Sequence, residues 1–351
     1  MKRIAIICVI LCTPLLINAQ TQIPTLDDLD HEIAMSSQYD KQYEDVIRSV
    51  KKQLHAAKTL EARCELSDKL FNLYTSYSVD SAIVYAMEKQ KIAKAMGNQS
   101  KVNDAKLNLA YLLIRGGELK DASDIINSIP RSGINQDLSF YYFSTRKTLY
   151  RTLADAALIP SQRKMYKQME KLCNDSVVDN NQSPDIWSRA EQLVNRQQYE
   201  QAKKILLDAY HHLKPGDRQT AFVSISLADI YGREKNVEAQ KQYLIAAAIS
   251  DIRNSVKEYL ALQQLAMILF EEGDTKRAYA YMDHAMNDAV FCNARQRTIA
   301  MADVWPAIEK SHERETKSRT LKLTAALVLI SLMSVFLLVM IIYTRRRVVE
   351  L

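Results

Sequence analysis

The sequence predicts an all-α chain, a solenoid of stacked helical hairpins that ends in a single transmembrane helix. Three observations predict it. Glycine and proline number seven each in 351 residues, about 4% against a usual share of about 12%, so turns are few and helices long. A pattern of small and apolar residues recurs about every forty positions. One uncharged apolar run lies near the C-terminus, from Leu323 to Tyr343. Hydrophobic residues at 48% and charged residues at 25% exclude general disorder.

Residues 1–19 read MKRIAIICVILCTPLLINA. Lys2 and Arg3 precede an apolar stretch from Ile4 to Ile17, and Ala19 is a small residue before Gln20. That is the layout of a secretory signal peptide. The stretch is short for a membrane span, so cleavage is expected. Neither Cys8 nor Cys12 follows a small residue, so no lipid anchor is expected. Residues 20–61 read as an N-terminal cap, built on a helix from about 26 to 57 that covers the first repeat.

Over residues 62–290, six segments share one pattern. A small or apolar residue is followed by an apolar residue three positions later, then a turn, then an alanine-like residue and apolar residues at helical spacing. The second segment has Ala110 and Leu113, the turn Gly117-Glu118-Leu119, then Ala122, Ile126 and Ile129. The fourth has Ala190, Leu193, Ala202 and Leu206. The fifth has Ala228, Tyr231, Val237 and Leu244. The sixth has Ala266, Leu269, Gly273-Asp274, Ala278 and Met282. The first (Leu70, Leu73, Ala82, Ala86) and third (Tyr150, Leu153, Tyr166, Met169) are weaker. Positions 70, 110, 150, 190, 228 and 266 keep intervals of 40, 40, 40, 38 and 38. A hairpin cannot bury its own apolar faces, so repeats stack. Close approach of helices needs small side chains, hence alanine at the crossings. Ser183-Pro184-Asp185 and Lys214-Pro215-Gly216-Asp217 mark helix starts.

Residues 291–322 read as a juxtamembrane helix that Pro306 kinks or restarts. Residues 323–343 read as a transmembrane helix, since 21 residues at about 1.5 Å span about 31 Å. Residues 344–351, with Arg345, Arg346 and Arg347, form a short cytoplasmic tail by the positive-inside rule. Lys310, Arg314, Lys317, Arg319 and Lys322 make the other flank basic too, and the signal peptide decides the orientation. The expected location is the inner membrane, single-pass, with the N-terminal region periplasmic. The net charge of +6 arises at these membrane boundaries. Without Lys2, Arg3, Lys322, the Arg triplet and Glu350, residues 20–321 carry 41 basic against 40 acidic residues. No nucleic-acid binding by this chain is expected.

The repeat spacing resembles the tetratricopeptide repeat (TPR), in degenerate form. Most units lack the early tryptophan and the glycine, and their length of 38–40 residues exceeds the usual 34. A wider resemblance rests on the opening helix LDDLDHEIAMSSQYDKQYEDVIRSVKKQL, on LYTSYSVDSAIVYAMEKQKIAKAMGN, and on NARQRTIAMADVWPAIEKSHERETKSRTLKL ahead of the membrane helix and Arg triplet. This order is similar to a family of Bacteroidota membrane-anchored TPR proteins carrying a domain of unknown function. The resemblance implies a signalling or regulatory role, and usually a coiled coil and a cytoplasmic output region beyond the membrane. Here the sequence reaches Leu351, eight residues after Tyr343, without that region. The family implies no ligand and no catalytic residues.

No phosphate loop, dinucleotide fingerprint, zinc motif, nucleophile elbow or EF-hand loop is present. No catalytic, cofactor-binding or metal-binding residue is expected, and the chain is read as no enzyme. His211 and His212 point about 100° apart on a helix and read as a solvated helix end. Cys64, Cys173 and Cys292 form no disulfide framework and read as buried thiols. Asp80-Ser81-Ala82 and Asp175-Ser176-Val177 resemble a short O-glycosylation signal of secreted Bacteroidota proteins. The inner helices of a TPR stack line a concave groove. Its candidates are Phe71, Tyr74, Tyr111, Arg115, Arg151, Trp187, Arg233 and Phe270, as aromatic anchors and guanidinium forks for a periplasmic protein or peptide. The alternative places these aromatics in the core and the arginines in solvent. The expected function is a membrane-tethered scaffold or sensor region. The alternative is a truncated membrane-bound signalling or transcription regulator. Homo-oligomerisation is left open.

Overall fold

A computed structural model describes residues 24–179, 185–214, 216–257 and 259–349. The expected signal peptide, Ser183-Pro184 and Pro215 lie outside the described residues. Within them the chain forms fifteen α-helices and no strand. A long opening helix, α1 (Leu26–Ala56), is followed by α2 (Leu60–Tyr74), α3 (Val79–Ala95), α4 (Gln99–Gly116) and α5 (Leu119–Asn127). Next come α6 (Gln136–Ala156), α7 (Pro160–Asp179), α8 (Ile186–Asn195), α9 (Tyr199–His212), α10 (Arg218–Arg233) and α11 (Val237–Arg253). The chain ends in α12 (Ala261–Glu271), α13 (Thr275–Cys292), α14 (Arg295–Ala302) and α15 (Trp305–Val349). From α2 to α13 the helices pair as six antiparallel hairpins, α2/α3 through α12/α13.

Local chemistry explains the helix starts. Thr25 caps α1 in a capping box with Asp28, so each satisfies a backbone N–H of the other. Asp185 caps α8, accepting from the Ser188 N–H at 2.7 Å. A carboxylate beside the first turn also suits the helix dipole. Four hairpins reverse through one and the same turn. Glu118, Gln198, Asn236 and Asp274 donate their N–H to the carbonyls of Leu113, Leu193, Tyr231 and Leu269 at 2.8–2.9 Å. The preceding residue is left-handed in each case: Gly117 at φ 86°, Gln197 at 61°, Lys235 at 60° and Gly273 at 87°. Only two of the four are glycine, although this conformation favours it.

Alanine occupies the helix crossings. Ala82, Ala110, Ala122, Ala202, Ala228, Ala266 and Ala278 are all fully buried, at 0% exposure. The α6/α7 hairpin departs from the pattern. Tyr150 and Tyr166 meet with ring centroids 6.4 Å apart, but both stay half-buried, and Leu149, Cys173 and Val177 fill the interior instead. Cys64, Cys173 and Cys292 are free and buried. His211 and His212 are exposed at the end of α9.

The stack does not simply run from one end to the other. One core joins Leu29, Ile47 and Val50 of α1 to Leu70 and Phe71 of α2, and to Leu244, Leu262, Tyr281 and Met282 of α11–α13. The opening helix therefore packs on the first hairpin and also on the last two. Smaller cores lie between α4, α5 and α6 and between α8, α9 and α10. Pro306 sits in the first turn of α15, where its missing N–H costs nothing, so it restarts the helix. Trp305 and His312 of α15 both stack on Tyr279 of α13, at 5.3 and 4.2 Å between centroids, and Ile308 between them is fully buried. Beyond this joint α15 leaves the solenoid. Its apolar window is 0% buried, and it is a candidate membrane span by length and composition.

Candidate functional site

The eight residues expected to line a groove fall into two sets. Phe71 and Tyr74 belong to the core, at 4% and 7% exposure. Tyr74 stacks on Tyr85, centroids 5.6 Å apart. Phe270 is half-buried and packs against the same core. Tyr111 and Trp187 are half-buried on α4 and α8. Trp187 lies against Phe222 of α10 at 5.3 Å, and Phe222 is 43% exposed. This aromatic pair bridges two neighbouring hairpins and keeps one face toward solvent.

The three arginines are each held by the chain itself. Arg115 lies over the Tyr111 ring at 5.5 Å and donates to the Thr75 carbonyl in the α2–α3 turn. Arg151 donates through Nε to Glu170 at 2.6 Å and through its other arm to Glu191. It thereby ties α6 to α7 and α8. Arg233 donates to Asp229, one turn earlier on its own helix, at 2.9 Å. The structure thus brings Tyr111 to Arg115 and Phe71 to Tyr74, and it gives each guanidinium a partner within the fold.

A second polar assembly was not read from the sequence. It lies where α1 meets the end of α11, the segment that follows it, and α13. Glu32 accepts from Arg253 at 2.5 Å and from the Tyr39 hydroxyl at 2.7 Å. The bond from Arg253 holds the Glu32 carboxyl below its ordinary range, against the opposing effect of burial. Asp30 accepts from Arg277 at 3.0 Å and from the Tyr281 hydroxyl at 2.7 Å, and Asp27 pairs with the same guanidinium. Lys257, 3% exposed, donates to Asp40 at 2.6 Å and to Asp288 at 3.1 Å. Its backbone N–H donates to the Ser76 carbonyl at 2.7 Å. His284 stands 3.5 Å from Asp288 and stacks on Tyr259. Burial pushes its imidazole below the ordinary value. Most acids of the clasp come from α1, with Asp288 from α13, and its bases come from the segment between Arg253 and Arg277. The run Asp27-Asp28-Leu29-Asp30 was the one signal in the sequence, and Arg277, the partner of Asp27 and Asp30, lies 250 and 247 positions away.

A cleft of about 330 Å³ opens beside this clasp, between α1 and α9–α11. Asp28, His31 and Arg253 form its polar wall, and Tyr210, Leu213 and Ile249 its apolar floor. Among the described residues, no group of three His, Cys, Asp or Glu side chains is placed to hold a metal ion. Burial raises the Cys64 and Cys173 thiols, which suits packing and not nucleophilic chemistry.

Stacked hairpins with alanine crossings and a repeated left-handed turn define a TPR-type repeat protein, a protein-interaction fold and not a catalytic one. Residues 33–303 match the family profile of the SusR N-terminal TPR domain, and the chain belongs to that family. No curated protein matches the chain.

Proposed function

We propose that the protein is a non-enzymatic scaffold or sensor region that binds a protein or peptide outside the cytoplasm and is tethered to the inner membrane by α15. The observation that carries this reading is the α13–α15 joint. A TPR stack is fixed through Tyr279, Trp305 and His312 to a helix whose long apolar segment is not buried against the solenoid. The expected signal peptide and the Arg triplet support this orientation. The partner surface is the inner-helix face that includes Tyr111, Arg151, Trp187, Arg233 and Phe270, with the Trp187–Phe222 pair as its exposed aromatic anchor. Phe71, Tyr74 and Arg115 support that face from within.

A second reading has a specific observation in its favour. α15 continues without a break from Trp305 to Val349, past the apolar segment, as a rod that could pass a signal to a cytoplasmic output part. The chain would then be the sensing part of a membrane regulator.

Two experiments test the proposal. A reporter active only outside the cytoplasm, fused near residue 300, should be active, and the same reporter fused at 351 should be silent. The reverse pattern overturns the orientation. A photo-crosslinking amino acid at position 111 or 187 of the full chain should capture one discrete envelope partner, and the same probe at Lys120 should not. Equal capture at all three positions would remove the inner face as the recognition surface.

A further inference from the structure

The α6/α7 hairpin stands out from the stack. α6 has 21 residues and α7 has 20, whereas the flanking α5 and α8 have 9 and 10. The ten residues by which α7 exceeds α8 amount to a projection of about 15 Å at the helical rise. Burial agrees. The interior residues of α7 are Cys173, Asn174 and Val177, all in its second half, so its first three turns rest on α6 alone. The outer end of this spur is apolar. Leu158 is 92% exposed and Ile159 is 52% exposed. Arg163 donates to the Ala157 carbonyl at 2.8 Å and so fixes the turn that presents them. By contrast, the hairpin turns at Glu118, Gln198, Asn236 and Asp274 are polar.

Behind the apolar tip comes a basic collar. Arg163, Lys164 and Lys167 lie within the first three turns of α7 and Lys171 just beyond them, and all four are exposed. The acid among them, Glu170, is engaged by Arg151. Apolar residues at an extreme point, with cations one to three turns behind, match the layering of a lipid interface with anionic headgroups. The tip offers two exposed apolar side chains beside cations, which favours a lipid interface over a peptide occupant. From His312, the last residue stacked on Tyr279, to Leu323 the α15 stalk measures about 16 Å, close to the projection of the spur.

We propose that the α6–α7 turn is a second membrane contact. Leu158 and Ile159 enter the headgroup boundary of the bilayer that α15 crosses, and the collar on α7 meets anionic headgroups. The solenoid is then held to the membrane at two points instead of swinging on one stalk. This rests on the reading of α15 as a span, so the test separates the two. The full chain, with Cys8 and Cys12 replaced by serine, is reconstituted in vesicles of phosphatidylcholine and phosphatidylglycerol at about three to one. Its remaining cysteines are buried, so an environment-sensitive fluorophore can be placed at Leu158→Cys, Val84→Cys or Leu337→Cys. The expected result is a blue shift and quenching by brominated lipid at 158 and 337, with neither at 84. Adding Ile159→Glu should abolish the response at 158 and leave that at 337. Quenching at 337 without quenching at 158 overturns the second contact and leaves the span intact. A blue shift at 158 without lipid quenching means a protein covers the tip, and it overturns the proposal as well. Absence of quenching at 337 removes the span and the proposal with it.

Discussion

Lys257 joins three distant parts of the fold. Its ammonium is shared by a carboxylate from α1 and one from α13, and its backbone reaches the α2–α3 turn. Burying an ammonium is costly unless partners replace its water, and removing it strands two acids. Lys257→Ala should lower stability by about 3 kcal/mol, whereas Arg233→Ala, an exposed pair within one helix, should change it by less than about 0.5 kcal/mol. Chemical denaturation of the two variants checks this, and equal midpoints would deny Lys257 its role. The same contrast shows what could be read from sequence at this scale. Ala110, Ala228 and Ala266 were legible because small size at a fixed interval is a local signal. The partners of Arg115, Arg151 and Arg233 within the fold, Thr75, Glu191 and Asp229, were not legible, because a sequence does not show what stands beside a side chain.

At the scale of elements, electrostatics repeats with the hairpins. Lys203 pairs with Glu200 at 2.7 Å and Glu234 at 2.8 Å, and Lys241 pairs with Glu238 and Glu272, both at 2.8 Å. Each lysine lies on the second helix of one hairpin and reaches the end of the first helix of the next. All three positions shift by 38, so the ion pairs fix the same stacking step that the alanines set. Tyr279, one step further on, takes Trp305 and His312 instead of another hairpin. The turns share the period, but Gln197 and Lys235 hold a left-handed conformation that costs a side-chain residue about 1–2 kcal/mol. Lys235→Gly should relieve that strain, lose part of the gain to a more flexible unfolded chain, and raise stability by about 0.5 kcal/mol. A higher melting temperature is the expected readout, and a lower one would mean that the lysine side chain contributes more than its backbone costs. The hairpins were legible from periodicity. The excess length of α6 and α7 was not, because Tyr150 and Tyr166 kept the repeat interval while the interior shifted to Leu149 and Cys173.

For the whole molecule, the decisive feature is that α1 joins the first hairpin to the last two. No periodic signal encodes that contact, since a repeat pattern specifies neighbours and is silent about distant ends. The joint carries a pH dependence with two windows. The imidazole of His284 faces Asp288 and Asp283 on its own helix, Asp40 of α1 and Lys257, and burial lowers its pKa from 6.5. The unfolded chain then binds the proton more readily, so this contribution is present above pH 6.5 and is lost as pH falls below it. Glu32 is depressed from 4.5, so its contribution is lost only below that value, as pH falls through its folded pKa. Thermal melts between about pH 8 and pH 5 should fall for the native chain and fall less for His284→Gln. Parallel curves would place the acid sensitivity elsewhere.

The α1 contacts also bear on the order of assembly. Asp30 meets Tyr281 across 251 positions of chain. During synthesis the opening helix therefore emerges among the first segments and its partners among the last, just ahead of the apolar stretch of α15. Until then the apolar stripe of Leu29, Ile47 and Val50 has only the first hairpin to cover it. The hairpins between can form from local contacts as they appear, but the final closure joins residues of very large sequence separation and is the slow step. A chain stalled or cut before α13 would thus leave Asp27 and Asp30 without Arg277 and the stripe of α1 only partly covered, a ready substrate for chaperones and proteases.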